Sequence, residues 1–425
     1  MAQEFMIKPV TVALPTLGCK ANRYDSDTLA RALAALGYSI VPEGGCADVY
    51  IVNTCTVTGG ADAKSRKICR RTLKLNPDAT LIITGCYASL EPEKLGAMAG
   101  VAAVVPITEQ ARIPELLLRL RPPTVVAVAP TLHTSAERTR ATVKVADGCN
   151  LSCAFCAVTL ARGEVRSRPL PEVLAELRGL IAAGMPEIVL TGIRLDAYGI
   201  DVPGGPRLAD LLDATRELGI PRLRLSSVEP LGVSQRLIDT LASHPSLCHH
   251  FHVCLQSGDD EILRGMRRGY TTEFYRKVIA RVRAAMPDAT FTTDIIVGFP
   301  GESEEAFAHT LELVEEVGFI GLHIFKFSPR PHTTAATMPG QIQESEKDTR
   351  AVRLLALQRR LFATHAATLQ GQVVPVLAER GDEGLTPHYE RVRAPFPAEI
   401  IGHTVPMRIT GAGEEWVVGE IWSQT

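Results

Sequence analysis

The sequence predicts an α/β protein in three parts. A doubly wound parallel α/β sheet is expected over residues 1–130, a partial, open (βα)6 barrel over 135–368, and a small antiparallel β-barrel over 369–425. Short aliphatic or β-branched runs alternate with helical periodicity from Val10 to Phe325, as parallel strands and crossover helices do. A long amphipathic stretch, Glu344–Leu369, ends that alternation. Beyond it, short alternating segments near Val373–Leu377, Tyr389–Val392, Val405–Ile409 and Trp416–Ile421 are separated by Gly and Pro turns, the pattern of a small closed sheet.

In the first part, strands are expected at Val10–Leu14, Asp48–Val52 and Thr80–Thr84. Cys19 follows the first in Thr16-Leu17-Gly18-Cys19-Lys20. Cys55 ends the second in Asn53-Thr54-Cys55-Thr56, and Cys86 the third in Thr84-Gly85-Cys86-Tyr87. All three fall just past carboxyl strand ends, the edge where open α/β sheets hold ligands. Three distant thiolates converging there suit an iron–sulfur cluster with an open position; three ordinary buried cysteines are the alternative. Cys46, in the Gly44-Gly45 loop, and Cys69, within a helical stretch, read as packing residues. The Cys69 helix also carries Lys64, Arg66, Lys67, Arg70, Arg71 and Lys74 with Asp62 opposing them. Such a run is either a solvated helix face or a phosphate-contacting patch.

In the second part, strands are expected near Thr142–Ala146, Glu187–Leu190, Arg222–Leu225, Phe251–Leu255, Thr293–Val297 and Gly321–Phe325. Helices fill the gaps, among them Pro171–Ala183, where Pro171 suits a first turn and Gly184 a stop. After the first strand comes Cys149-Asn150-Leu151-Ser152-Cys153-Ala154-Phe155-Cys156. Zinc sites usually close four positions with two pairs of ligands. This loop offers three thiolates and no neighbouring fourth, which suits a four-iron cluster whose open iron can hold a cofactor. The other strands end in Thr191-Gly192, Ser226-Ser227-Val228-Glu229-Pro230, Gln256-Ser257-Gly258, Gly298-Phe299-Pro300-Gly301-Glu302 and Ser328-Pro329-Arg330. Barrel enzymes keep their chemistry on this rim. Here it would be a cofactor site: glycines admit backbone approach, Glu229 and Gln256 offer hydrogen bonds, and Arg268 or Arg330 can neutralise a carboxylate. Each residue alone can equally be a loop cap. Cys254 alternates within a strand and reads as packing; Cys248 is uninformative.

Length, at 425 residues, allows two or three domains with sizeable cores, and an apolar content of 46% describes a globular protein. No long apolar run suggests a membrane span, and the first residues lack a signal-peptide pattern, so a cytoplasmic location is expected. Ten cysteines without a secretory signal read as metal ligands plus a few buried thiols. A net charge of −2 neither supports nor excludes a nucleic-acid partner, which must be met by local patches. In the tail, Tyr389, Arg391 and Arg393 can supply stacking and phosphate contacts, or the tail can be a structural cap.

Together these features resemble the radical S-adenosylmethionine (SAM) methylthiotransferase family over essentially the whole chain. The resemblance is carried by Thr16–Lys20, Asn53–Thr58, Gly85–Ala88, Asp147–Cys156, Ala161–Arg168, Leu190–Gly199, Arg224–Pro230, Leu255–Gly258 and Thr293–Glu302. It is strongest for the branch acting on N6-threonylcarbamoyladenosine next to the tRNA anticodon. It implies two [4Fe–4S] clusters, an auxiliary one on Cys19, Cys55 and Cys86 and a radical-generating one on Cys149, Cys153 and Cys156. It also implies SAM bound by Thr191, Gly192, Ser227, Glu229, Gln256, Gly298, Arg268 and Arg330, and a TRAM-like tail that helps hold tRNA.

The implied reaction adds a methylthio group to C2 of the adenine, an unactivated carbon for which radical chemistry is needed. The implied partners are the tRNA anticodon stem-loop and a reducing electron donor, with no membrane, and the protein is expected to be a monomer. Arg162, Lys67, Arg70 and Arg391 are the candidate substrate contacts. Two departures bear on the substrate: Val158-Thr159-Leu160 replaces the branch's Ile-Pro-Tyr, and Arg23 stands where Gln is usual. The alternatives are the same chemistry on N6-isopentenyladenosine or on a ribosomal-protein aspartate. A non-catalytic iron–sulfur RNA-binding or electron-transfer protein would need neither an open iron nor a polar rim.

Overall fold

A computed structural model describes residues 8–124 and 139–423. The expected boundary between the first two parts, at 130–135, lies outside them. The N-terminal part runs β1 (Thr11–Ala13), α1 (Lys20–Ala35), β2 (Ser39–Val41), β3 (Val49–Thr54), α2 (Gly59–Leu75), β4 (Thr80–Gly85), α3 (Cys86–Leu90), α4 (Pro92–Gly96), β5 (Val101–Val104) and α5 (Ile113–Leu120). Its strands form one parallel sheet in the order β2-β1-β3-β4-β5. Helices cover both faces, so β3 is buried throughout. Val49 and Ile51 pack with Leu33 and Leu117 on one side, and Tyr50 and Val52 with Cys69 on the other. That unbroken burial is what made β1, β3 and β4 visible in the sequence. The sheet order reverses between β1 and β3, where such sheets open a ligand crevice.

The central part runs β6 (Arg140–Asp147), α6 (Val158–Arg162), β7 (Arg166–Ser167), α7 (Leu170–Ala182), β8 (Glu187–Gly192), α8 (Leu208–Thr215), β9 (Leu223–Leu225) and α9 (Gln235–Ser243). It continues with β10 (His250–His252), α10 (Asp260–Gly265), α11 (Thr272–Ala285), β11 (Thr290–Val297), α12 (Glu304–Val317) and β12 (Gly321–Lys326). The parallel ladders β6-β8-β9 and β10-β11-β12 are joined by bridges Leu223–Leu247 and Val228–Val253, giving the expected open barrel. Strand alternation sorts its two faces. Phe251, Val253, Leu255, Phe291, Ile295 and Val297 join the helix-facing core. His250, His252, Thr292, Asp294 and His323 share the concave face, as their register and mutual hydrogen bonds require.

Helix α13 (Glu344–Leu369) lies along β12, where Gln358 Oε1 accepts the Leu322 N–H at 3.2 Å and occupies a donor of the edge strand. Its Phe362 and Ala366 then enter the core of the C-terminal barrel. That barrel closes in the order β13 (Val373–Ala378), β14 (Glu383–Leu385), β15 (Arg391–Arg393), β17 (Val417–Ile421) and β16 (Thr404–Ala412). It is not wholly antiparallel. After β15 the chain crosses to pair β16 with β13, and β17 returns beside β15 in parallel, Val392 against Val417. Alternation in a sequence shows a strand but not its direction.

Candidate functional site

The central cysteine loop begins at Gly148, whose φ of +74° and approach to Glu164 leave no room for a side chain: a Cβ would lie 1.8 Å from that carbonyl oxygen. The loop folds back at once, and the Cys149 N–H bonds the Gly163 carbonyl at 3.0 Å. Each sulfur then meets one N–H donor. Leu151 N lies 3.4 Å from Cys149 Sγ, Val158 N 3.4 Å from Cys156 Sγ, and Arg268 Nη1 3.1 Å from Cys153 Sγ. Burial pushes the Cys156 thiol up to about 12 and raises Cys149 too, so these sulfurs become anionic only when a metal takes the charge. Three thiolates, each offered a donor, fit a cluster with one open iron.

Around this loop the structure gathers polar residues of the rim. Arg268 is buried, ion-paired with Glu229 and hydrogen-bonded to Tyr270 Oη at 3.2 Å, which places a carboxylate–guanidinium pair against Cys153. Gln256, four residues past β10, has a φ of +71°, a conformation that non-glycine residues hold only where surroundings enforce it. Its N–H bonds Asp294 O at 2.8 Å and its carbonyl accepts Ile296 N–H at 2.9 Å. Thr191 is buried, and Ser227 is half-buried beside Glu229. At Gly192 a Cβ would press on Ala146 O at 3.2 Å, so close packing of β8 on β6 also asks for glycine there.

Two residues expected as cofactor contacts are packed against other elements. A Cβ on Gly298 would sit 2.3 Å from Lys347 Cγ, so α13 occupies that flank. Arg330 is buried against the N-terminal part, donating to Thr56 Oγ1 at 2.7 Å and pairing with Asp62. Its neighbour Ser328 accepts the Gly59 N–H at 3.0 Å. The loop after β12 thus fastens the barrel to Thr56, next to Cys55, and to the start of α2.

The second cysteine site stands at the β1/β3 crevice. Cys19 precedes α1, Cys55 follows β3, and Cys86 opens α3. Gly18, at φ +103°, lets Cys55 come close: a Cβ there would lie 3.1 Å from Cys55 Sγ. Gly85, also at +103°, would place its Cβ 2.3 Å from Thr54 O. Cys86 is buried, which pushes its thiol up to about 11 despite the Arg162 guanidinium beside it. The donor set is again three thiolates, with Asn22 reaching Leu17 O at 2.8 Å and Thr54 O at 3.1 Å to brace the loops.

Arg162, read from the sequence as a substrate contact, is fully buried and spends itself on Cys86, Asn22, Asp25 and Asp147. It cannot face substrate in this arrangement. The sequence reading missed Asn22 and Asp25; lying three and six residues after Cys19, they continue its face of α1, and polar residues on a helix's buried face are the signal that was available. Lys67 and Arg70 are exposed on α2 with Lys64, Arg71 and Lys74, and among the described residues none of these forms an ion pair. In the tail, Tyr389 is committed, stacked on His250 at 4.2 Å and covered by Arg224, while Arg393 stacks on Trp416 at 3.8 Å. Arg391 is exposed and borders a cavity of about 480 Å³ between β12, α13 and the tail barrel.

The concave face of the barrel is polar. His252 Nε2 and His323 Nδ1 lie 3.2 and 3.0 Å from the same Asp294 oxygen, and their rings stack at 5.0 Å. The buried Ser226 hydroxyl has no protein partner among the described residues.

Residues 143–314 match the family described as the radical SAM superfamily, and residues 11–106 that described as uncharacterized protein family UPF0004. The chain is 36% identical to the threonylcarbamoyladenosine tRNA methylthiotransferase MtaB of Bacillus subtilis, over 96% of each chain. It is also 36% identical to the tRNA-2-methylthio-N(6)-dimethylallyladenosine synthase of Chloroflexus aurantiacus, over 93% of this chain and 88% of that one. Among solved structures, a radical SAM methyltransferase of Kitasatospora setae with cobalamin and a [4Fe–4S] cluster bound aligns with a TM-score of 0.55 at 17% identity, over 77% of each chain. At that identity the likeness concerns the fold alone.

Proposed function

The chain belongs to the radical SAM methylthiotransferase family, and from that premise we propose that it methylthiolates C2 of N6-threonylcarbamoyladenosine next to the anticodon of tRNA. SAM and [4Fe–4S] clusters are its cofactors; when bound they supply the methyl group, the sulfur-holding iron and one-electron cleavage of SAM. Cys149, Cys153 and Cys156 hold the SAM-cleaving cluster, and Cys19, Cys55 and Cys86 the auxiliary one. The protein's own residues position and shield. Glu229 and Arg268 fix the charge beside Cys153, and α1 packs on β6, covering one side of the concave face. The target base lies on that face between the two cysteine sites.

The observation that carries the choice of substrate is the polar concave face. A threonylcarbamoyl arm brings a hydroxyl, a carbamoyl and a carboxylate, which His252, His323, Thr292 and Ser226 can meet. An isopentenyl arm could bond none of them and would leave the buried Ser226 hydroxyl without a partner. Mass spectrometry of tRNA nucleosides from cells with and without the gene tests this. Loss of methylthio-threonylcarbamoyladenosine alone is expected; loss of methylthio-isopentenyladenosine instead would transfer the chemistry to the other substrate.

The exposed strip on α2 and Arg391 serve as phosphate contacts. Combined Lys67→Ala and Arg70→Ala replacement should weaken anticodon stem-loop binding and flatten its salt dependence, with the slope of log K on log[salt] falling by roughly 1–2. An unchanged slope would return the strip to a solvated helix face. No helix among the described residues is long and apolar enough to cross a membrane. The proposed working form is a cytoplasmic monomer served by a separate electron donor.

A further inference from the structure

Each three-cysteine site has one buried guanidinium that donates to one of its sulfurs. Arg268 Nη1 lies 3.1 Å from Cys153 Sγ, and Arg162 Nε lies 3.2 Å from Cys86 Sγ. Arg162 has a partner for each of its nitrogens. Its Nη1 lies 2.8 and 2.9 Å from the two Asp147 oxygens, and its Nη2 2.5 Å from Asn22 Oδ1 and 2.8 Å from Asp25 Oδ2. Lys144 pairs with the same two aspartates. Two cations against two carboxylates leave this group neutral, so the guanidinium plane is fixed and the one remaining donor, Nε–H, points at Cys86.

The origin of Arg162 is also informative. It ends α6, the short helix that begins two residues after Cys156. The loop that gathers the central sulfurs therefore delivers the donor to the other site, across the boundary between the two parts.

We propose that Arg162 is a positioning residue that sets the reduction potential of the iron–sulfur cluster held by Cys19, Cys55 and Cys86; this rests on the reading that those cysteines hold one. An N–H bond to a ligand sulfur stabilises the reduced, more negatively charged state, so it raises the potential. Arg162→Lys keeps a cation for Asp25 and Asp147 but removes the Nε–H, and the potential falls. Arg268 plays the same part for the central site, so each arginine answers for one cluster.

The test uses the full chain with Cys149, Cys153 and Cys156 replaced by alanine, so that only the N-terminal cluster remains. Anaerobic redox titration followed by electron paramagnetic resonance should give a more negative midpoint with Arg162→Lys than with Arg162. In the reciprocal chain lacking Cys19, Cys55 and Cys86, Arg162→Lys should leave the midpoint in place and Arg268→Lys should lower it. Equal midpoints in the first comparison would overturn the proposal. If the lysine variant does not take up iron, the Arg162 chain labelled with 15N-arginine decides. A 15N hyperfine coupling to the reduced cluster is expected, and its absence overturns the proposal. Failure of the Arg162 chain itself to bind iron would instead refute the cluster reading, and the proposal with it.

Discussion

Cys153→Ala should abolish 5′-deoxyadenosine formation, whereas Cys55→Ala should retain it and lose only the methylthiolated product. The two cysteines serve sites built by different parts of the chain, one on the rim after β6 and one in the β1/β3 crevice. Removing Cys153 takes one of three thiolates from the loop but leaves Arg268 its bonds to Glu229 and Tyr270, so the rim keeps its shape while losing its metal. Removing Cys55 touches none of the sulfurs after β6. Iron analysis of reconstituted protein should then read about four irons per chain in each variant against about eight in the parent, as two four-iron sites require. SAM cleavage by Cys153→Ala at the parental rate would sink the assignment of the central site. Methylthiolated product from Cys55→Ala at the parental rate would do the same for the auxiliary one.

The two cysteine groups could be singled out in the sequence because each cysteine has a local context. Cys149, Cys153 and Cys156 share one loop, Cys55 and Cys86 directly follow the buried strands β3 and β4, and Cys19 lies in the turn between β1 and α1. The edge strands β2 and β5 were not singled out, since residues 39–41 and 101–104 are short and mostly half-covered. Side-chain destinations were harder still. Arg162, Arg330 and Tyr389 sit at positions where a substrate or cofactor contact is chemically reasonable, yet each is used to join parts of the chain: Arg162 and Arg330 to the N-terminal sheet, Tyr389 to the base of the barrel. Interdomain packing depends on which surfaces meet, and no local spacing encodes that. Arg268 lies on the rim as expected, but its bond to Cys153 links positions 115 residues apart.

Glu187→Ala should cost about 3–5 kcal/mol and release the C-terminal barrel first, because it leaves two buried guanidiniums without their carboxylate. Glu187 has no exposed surface and lies 2.9 Å from both Arg224 Nε and Arg222 Nη2. Those arginines hold the tail: Arg222 donates to Leu385 O at 2.9 Å, and Arg224 to Thr386 O at 3.1 Å and Pro387 O at 3.0 Å. Burial alone would raise the Glu187 carboxyl, but the flanking guanidiniums, Arg224 foremost, bring it below its ordinary value. A carboxyl depressed in the folded state contributes stability that is complete above its unfolded pKa, about 4.3, and is lost as pH falls further through the folded value. Glu187→Gln should therefore destabilise at pH 7 and respond less to acid below about pH 4 than the parent does. Both tryptophans of the chain, Trp416 and Trp422, belong to the C-terminal part, so their fluorescence reports that barrel while far-ultraviolet dichroism reports the whole chain. In urea, cluster-free Glu187→Ala should show the fluorescence transition well ahead of the dichroism transition. Coincident, unshifted transitions would mean that the tail is held by the end of α13 and the Tyr389 stack, and that the buried triad adds nothing to its docking.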